Sequence, residues 1–415
     1  MLVVKKIPNA AWLFEPELQS LLSCLNQGEE EARIVGGAVR NSFLGEQVSD
    51  IDIATTCLPQ MVCIRAQACG FRAIPTGLDY GTITVVGADQ TYEVTTLRAD
   101  ISPDGRRTKV EFSRDWAEDA ARRDFTINAL YCDCTGALYD YVGGVLDIEQ
   151  RQIRFIGEAQ ARVKEDYLRI LRFFRMFAYY GHGRPDKDGL KACARLKHGL
   201  EYLSRERIWA EFAKLLAAPD PARTLLWMRQ TGILTLILSL SEKWGIDAIH
   251  GLLGVEKQMG WAPDPLLRLM SLIPPDATRL RMLNGRFSLS NKQKNRLQAW
   301  AQLADVVPIR NNSHLEVLLY KRGRRALCDY LALSMAQAEI SGDGERFTQA
   351  KAFYCHAAGW ACPSFPLRGE DLLAHGFSAG PMLGKKLRDL ETLWVETGFC
   401  WGREQLLATL GSSTP

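Results

Sequence analysis

Val35-Gly36-Gly37-Ala38-Val39-Arg40, followed closely by Ser49-Asp50-Ile51-Asp52-Ile53, is the stretch that decides how this chain is read. A glycine pair lets the backbone approach a polyphosphate with its N–H groups as donors. On a strand, residues two apart point to one face, so Asp50 and Asp52 would reach a common metal centre while Ile51 and Ile53 enter a core. Carboxylates together with waters and phosphate oxygens are the usual protein ligands of Mg²⁺. An acidic turn before an ordinary buried strand would also produce Asp-Ile-Asp. Joined to the glycine pair (Gly36, Gly37) and Arg40, the pattern favours a catalytic carboxylate pair beside a phosphate cradle.

Around this stretch, the chain is long enough, at 415 residues, for two to four compact units. Its net charge of +3 is only mildly basic, and no apolar run is long enough to span a bilayer. The opening MLVVKKIPNAAWL is too short and interrupted to predict a secretory leader. Eleven cysteines are scattered singly, and the one close pair, Cys132 and Cys134, has no second pair to complete a zinc site. The expectation is therefore mostly buried thiols in a reducing cytoplasm, with no membrane involvement.

The first 150 residues alternate strand and helix signals. Strands are expected over 33–35, 51–54, 81–86, 91–97 and 138–142, with an amphipathic helix over 59–69. The polar, turn-rich stretch 98–115 reads as a mobile loop. Beyond about Gly157 strand signals fade and apolar-periodic segments follow, punctuated by prolines. The expected class is α+β: an α/β head with a mixed sheet, followed by mainly helical domains.

Three downstream segments add chemistry. Glu93, in Tyr92-Glu93-Val94, stands either as a third carboxylate beside Asp50 and Asp52 or as a solvent-facing charge on an edge strand. Arg122-Arg123-Asp124-Phe125-Thr126-Ile127-Asn128 supplies paired guanidiniums suited to a triphosphate, read here as a polar cluster entering an apolar helix. Glu118, Asp119 and Asp124 are close enough in sequence to neutralise both arginines. In Glu165-Asp166-Tyr167-Leu168-Arg169-Ile170-Leu171-Arg172-Phe173-Phe174-Arg175, taken as one helix, Arg169, Arg172 and Arg175 share an arc with Glu165. Asp166 falls inside the apolar arc and is expected to pair with Arg169. Such an acceptor and donor fork can read a base edge, while Arg175, on the far side, suits a phosphate, RNA or a structural partner. Ser204 should cap a helix whose Glu206, Arg207 and Glu211 brace this one. From Arg279 to Arg296 there are six basic residues and no acidic one, and Lys321 to Arg325 and Lys385 to Arg388 add more. These stretches suit a nucleic-acid backbone or a solvated face, and three of them tilt the reading to RNA.

GGAVR with DID, RRDFTINAL, EDYLRILRFFR and SRERIWAE, in that order, resemble the class II tRNA nucleotidyltransferase and bacterial poly(A) polymerase family over about residues 30–216. The resemblance implies Mg²⁺ on Asp50 and Asp52, and triphosphate contacts from Gly37, Arg40 and Arg123. It implies base recognition by Asp166 and Arg169, with Arg172 and Arg175 completing the pocket. A head (1–150), neck (151–218), body (219–310) and tail (311–415) are expected, with the 104–112 loop as the element linked to the switch from CTP to ATP. The implied reaction adds C, C and A to the tRNA 3′ end from CTP and ATP without a template, releasing pyrophosphate. No stable protein partner is implied. Two positions depart from the family pattern: Asn41, where aspartate is common, and Tyr80, where histidine is frequent. The alternatives are a poly(A) polymerase, a partial adder of C or A alone, and a non-catalytic RNA-binding scaffold. An appended phosphohydrolase is disfavoured because none of the six histidines precedes an aspartate.

Overall fold

The computed structural model describes residues 3–100, 110–238, 246–303 and 308–410. Contacts divide the chain into two compact units, Met1–Ser239 and Leu240–Pro415. The first carries all the described strands: β1 Val3–Lys6, β2 Ala32–Val35, β3 Ile51–Thr55, β4 Arg72–Gly77, β5 Thr82–Val86, β6 Thr91–Thr96, β7 Arg98–Asp100, β8 Val110–Phe112, β9 Leu130–Cys132 and β10 Ala137–Asp140. Eight of them form one sheet in the order β1-β10-β9-β2-β3-β6-β5-β4, while β7 and β8 form a separate pair. Every pairing in the large sheet is antiparallel except β3 with β6, so the sheet is mixed as expected.

Burial follows position in the sheet. All four residues of β2 are buried, as suits a central strand covered on both sides. In β5 and β6 burial alternates, placing Ile83, Val85, Tyr92 and Val94 in the core and leaving Glu93 exposed. Helices α1 (Pro16–Leu25), α2 (Gly37–Leu44) and α3 (Pro59–Ala68) pack on the sheet. The β7–β8 pair occupies part of the expected 98–115 loop, and residues 101–109 of that loop lie outside the described residues.

The unit continues through α4 (Trp116–Ala121), α5 (Gly144–Glu149), α6 (Ala159–Glu165), α7 (Leu168–Tyr180), α8 (Lys187–Leu196), α9 (Arg205–Leu216), α10 (Ala222–Gln230) and α11 (Ile233–Ile237). Two expected helices are corrected here. Thr126–Asn128 forms a single 3-10 turn before β9, not part of an apolar helix. The segment 165–175 is broken, because α6 ends at Glu165 and Asp166 adopts extended backbone (φ −151°, ψ 108°). The Asp166 side chain accepts the Leu168 N–H at 3.0 Å, so it satisfies an orphan donor at the start of α7. Aspartate competes with the backbone in this way and favours helix ends over interiors. The apolar arc is nonetheless as read: Leu168, Ile170, Leu171, Phe173 and Phe174 are all buried.

The second unit is helical throughout its described residues: α12 Asp247–Met259, α13 Pro265–Ser271, α14 Ala277–Arg286, α15 Asn291–Ala301, α16 Asn312–Arg322, α17 Arg324–Ser341, α18 Gly344–Gly359, α19 Gly369–Ala374, α20 Pro381–Glu396 and α21 Arg403–Ala408. Helices α12 and α17 approach so closely that a Cβ on Gly251 would lie 2.1 Å from the Ala336 carbonyl oxygen. Buried charge is paired here. Arg268 forks onto Glu256 (2.6 Å), and Arg296 bridges Asp264 and Asp329, each at 2.7 Å. Arg296 and Arg325, counted among the basic stretches, are therefore ion-paired within the unit, Arg325 to Asp264 at 2.5 Å. Arg279, Arg281, Arg286 and Lys292 are exposed.

A second correction concerns the cysteines. Cys24 of α1 and Cys69, which ends α3, form a disulfide, where mostly buried thiols were expected. The two helices pack side by side, a proximity that a sequence separation of 45 residues does not reveal. Cys57, Cys132 and Cys193 are buried thiols, but Cys355, Cys362 and Cys400 are exposed. No helix among the described residues is long and apolar enough to cross a membrane.

Candidate active site

The turn from β2 into α2 starts the site. Gly36 has φ +78°, a conformation that L side chains rarely adopt, and its N–H donates to the Leu130 carbonyl at 3.2 Å. This turn lays Gly37 at the N-terminus of α2, where backbone N–H groups face outward. A Cβ placed on Gly36 would lie 4.0 Å from Asp52 Oδ2, so the glycine turn and the carboxylate are immediate neighbours. Register explains the meeting: Val35 pairs with Asp52 across β2 and β3.

Asp52 is half-buried on β3, while Asp50 is exposed just before the strand begins. Glu93 stands directly opposite Asp52 in the parallel β3–β6 pairing. Burial, then Glu93 and Asp50, push the Asp52 carboxyl above its ordinary range, against the opposing pull of Arg123. Negative charge is therefore concentrated at this point, and a divalent cation would relieve it. Among the described residues no group of three or more histidine, cysteine or carboxylate side chains is arranged to hold a metal alone. Mg²⁺ commonly takes only one or two carboxylates and completes its shell with water and substrate phosphate, and Asp50 with Asp52 fit that donor set.

A cleft of about 470 Å³ opens beside Asp52, in the size range of small-molecule sites. It is lined by Gly36, Gly37, Arg40, Asp52, Arg122, Arg123, Asp124, Asn128, Asp166, Leu168, Arg169, Arg172, Met176 and Arg207. Of the residues singled out from sequence, it therefore gathers Gly36, Gly37, Arg40, Asp52, Arg123, Asp166, Arg169 and Arg172. Asp50 and Glu93 flank Asp52 outside that lining. Arg175, which the resemblance implied would complete the pocket, lies outside that lining and is bound to Glu211 at 2.6 Å; of the phosphate, RNA or structural partner that its place on the wheel left open, it takes the last.

The arginines are held by a buried acidic frame. Asp119 is fully buried and receives Arg122 at 2.5 Å, Arg123 at 2.9 Å and the Tyr131 hydroxyl at 2.7 Å. Burial alone would raise its pKa, but Arg123, Arg122 and the hydroxyl outweigh it and hold the carboxyl below the usual range. Asp119 thus pairs with both arginines, the salt-bridge alternative that three nearby carboxylates offered against the triphosphate reading. Glu118 instead accepts from Ser113, and Asp124 pairs with Arg172 at 2.5 Å. Burial again opposes ionisation of Asp124, and Arg172 overcomes it.

Arg40 is buried, and its fork is engaged by the protein. It donates to Asn128 Oδ1 at 2.5 Å, to the Tyr180 hydroxyl at 2.8 Å and to Asn41 Oδ1 at 3.0 Å. Its placement sets Asn128 and α7 against the glycine turn. Asn41 keeps the acceptor that an aspartate would offer, without the charge, and its amide donates to the Gln47 carbonyl at 2.9 Å.

The expected Asp166–Arg169 pair does not form. Asp166 Oδ2 takes Arg207 at 2.7 Å, and Arg169 binds Glu165 and the Arg162 carbonyl. The broken helix is the cause, since it turns Asp166 out of the α7 wheel. Asp124 and Asn128 stood inside RRDFTINAL, so their type and position were a signal. Asp119 carried one too, its partners Arg122 and Arg123 lying three and four residues on, whereas Tyr131 and Tyr180 carried none, because they reach the site from other elements.

Residues 32–154 match the family described as Poly A polymerase head domain, and residues 184–242 that described as Probable RNA and SrmB- binding site of polymerase A. The mitochondrial CCA tRNA nucleotidyltransferase 1 of Mus musculus is 32% identical, covering 97% of this chain and 91% of its own length. The chain belongs to the CCA-adding enzyme and poly(A) polymerase family. Another member, the CCA-adding enzyme of Streptococcus pyogenes serotype M1, is 31% identical over 92% of this chain and 93% of its own. The crystal structure of the Bacillus stearothermophilus CCA-adding enzyme in complex with CTP superposes with a TM-score of 0.70 at 28% identity, covering 92% of this chain and 94% of that one. The matched head thus lies within the unit that holds the cleft, whose wall also takes Asp166, Arg169, Arg172 and Arg207 from beyond residue 154. Its two departures, Asn41 and Tyr80, lie at the cleft's Arg40 and beside the β7–β8 pair, where the Tyr80 carbonyl accepts from Arg98 at 2.5 Å.

Proposed function

We propose that this chain is a CCA-adding tRNA nucleotidyltransferase, extending the tRNA 3′ end with C, C and A from CTP and ATP. One observation carries the reading: the cleft joins the glycine turn, Asp52 and six arginines in a chain that aligns over nearly its whole length with CCA tRNA nucleotidyltransferases. The tRNA 3′-oxygen bonds to the α-phosphorus of the incoming nucleotide as the bond to the β-phosphate oxygen breaks and pyrophosphate leaves. Gly37 and Arg123 hold the triphosphate, Arg123 with its charge fixed by Asp119. Arg40 and Arg172 position the surrounding wall through Asn128 and Asp124.

Asp50 and Asp52 would hold Mg²⁺, which when bound supplies charge stabilisation for the attacking and leaving oxygens. Glu93, beside Asp52, keeps this point negative. Asp166 and Arg169 face the nucleobase, the carboxylate accepting from an exocyclic amine and the guanidinium donating to a ring acceptor. Cytosine and adenine share that amine-and-acceptor edge; uracil and guanine do not.

The test is incorporation on tRNA lacking its last three nucleotides, with each nucleoside triphosphate alone and in pairs. CTP alone should add two residues, and CTP with ATP should add three and stop. Long ATP tracts on any RNA would make the chain a poly(A) polymerase. RNA binding without incorporation in Mg²⁺ would make it a scaffold.

A further inference from the structure

Arg207 stands in the first turn of α9, the helix expected only to brace its neighbour, yet it lines the nucleotide cleft. Its Nη2 meets Asp166 Oδ2 at 2.7 Å, and the two side chains are 43% and 32% exposed. An ion pair this open contributes little to stability. Its geometry is more informative than its strength. Asp166 Oδ1 is already fixed by the Leu168 N–H at 3.0 Å, so Arg207 supplies the second anchor and locks the carboxylate plane. The anchors come from α7 and α9, which are tied further along by Arg175 and Glu211.

We propose that Arg207 is a specificity-determining positioning residue: by pinning Oδ2, it aims a lone pair of Asp166 into the cleft for the exocyclic amine of cytosine or adenine. This rests on the reading of Asp166 as the base-facing acceptor. A carboxylate oxygen has acceptor capacity for both Arg207 and a base amine. Without Arg207, Asp166 turns about its side-chain bonds, and a base presenting a carbonyl at that edge is no longer turned away by a fixed acceptor. The effect falls on the base, not on the triphosphate or the RNA primer.

Arg207→Ala and Arg207→Lys should be compared with wild type in nucleotide addition and in calorimetric binding of CTP and UTP without RNA. For Arg207→Ala the KM for CTP and ATP should rise and the preference for CTP over UTP should fall, each on the order of tenfold, the scale of one lost charge-assisted contact. The KM for tRNA and the melting temperature should stay unchanged, and Arg207→Lys should recover part of the preference. In an Asp166→Ala background the same substitution should add nothing, since its effect passes through Asp166. A folded Arg207→Ala protein that keeps the wild-type CTP-to-UTP preference overturns the proposal, as does a loss of preference that persists without Asp166. Should wild type elongate no tRNA, the CCA-adding reading fails, and the binding preference still decides the role of Arg207.

Discussion

At the scale of single residues the site is a contest between burial and charge, and Asp52 is where burial is least compensated. Its pKa is raised by burial and by Glu93 and Asp50, so its ionised form costs stability: the cost is absent below the unfolded value of about 3.9, grows as pH rises from there to the raised folded value, and is full above it. Asp52→Asn removes the cost along with the function. Without divalent cation its melting temperature at neutral pH should exceed that of wild type by roughly 2–4 °C for each kcal/mol relieved, while incorporation falls by about 10³-fold or more. Calorimetry in EDTA checks the first, and an unchanged or lower melting temperature would mean that Asp50 and Glu93 do not load Asp52. Asp119 and Asp124 have the opposite sign. Their pKa values are lowered by arginine partners, so their contribution is present above the unfolded value of about 3.9 and lost as pH falls through the lower folded values. Asp119→Asn leaves Arg122 and Arg123 without their buried partner and should cost about 3–5 kcal/mol in urea unfolding at pH 7. A loss under 1 kcal/mol would show the frame to be slack.

At the scale of elements, the disulfide between α1 and α3 has a consequence for the site, because the loop it closes contains Gly36, Gly37, Arg40, Asp50 and Asp52. Closing a loop of 45 residues restricts the unfolded chain by about 4 kcal/mol in the chain-entropy account. Dithiothreitol, or Cys24→Ser, should therefore lower the melting temperature of the head by several degrees while nucleotide addition at 25 °C is retained. Equal melting curves with and without reductant would count against the cross-link. Elements also show what local sequence carries. Strand positions were legible from alternation, as in Thr82–Val86 and Thr91–Thr96, because each side chain's burial repeats along its own strand. Strands β4 and β9 were not, although each pairs with the strand that follows it: burial along Arg72–Gly77 does not alternate, and Leu130–Cys132 is only three residues long and buried throughout. The break at Asp166 was hidden because the wheel of 165–175 is apolar enough to pass for one helix. It is ended by the extended backbone at Asp166, whose Oδ1 accepts the Leu168 N–H.

For the whole molecule, the α+β class and the carboxylate-glycine site could be read from the chain, because motif chemistry is local. The helical second unit was legible only as helical. Its ion pairs Glu256–Arg268 and Arg296 with Asp264 and Asp329 depend on which helices meet, so two residues that looked like RNA contacts, Arg296 and Arg325, turn out to be internal ties. That sorting sharpens where RNA should touch. Arg281, Arg286 and Lys292 remain exposed on α14 and α15, and a phosphate backbone released from its counterions by such residues binds with a salt dependence set by their number. Replacing all three by glutamine should weaken tRNA binding and flatten its log–log salt slope by roughly two to three, while calorimetric binding of CTP in the head stays unchanged. Arg296→Gln, by contrast, should lower stability and leave the salt slope alone. A triple variant with the wild-type slope would remove this face from the RNA path.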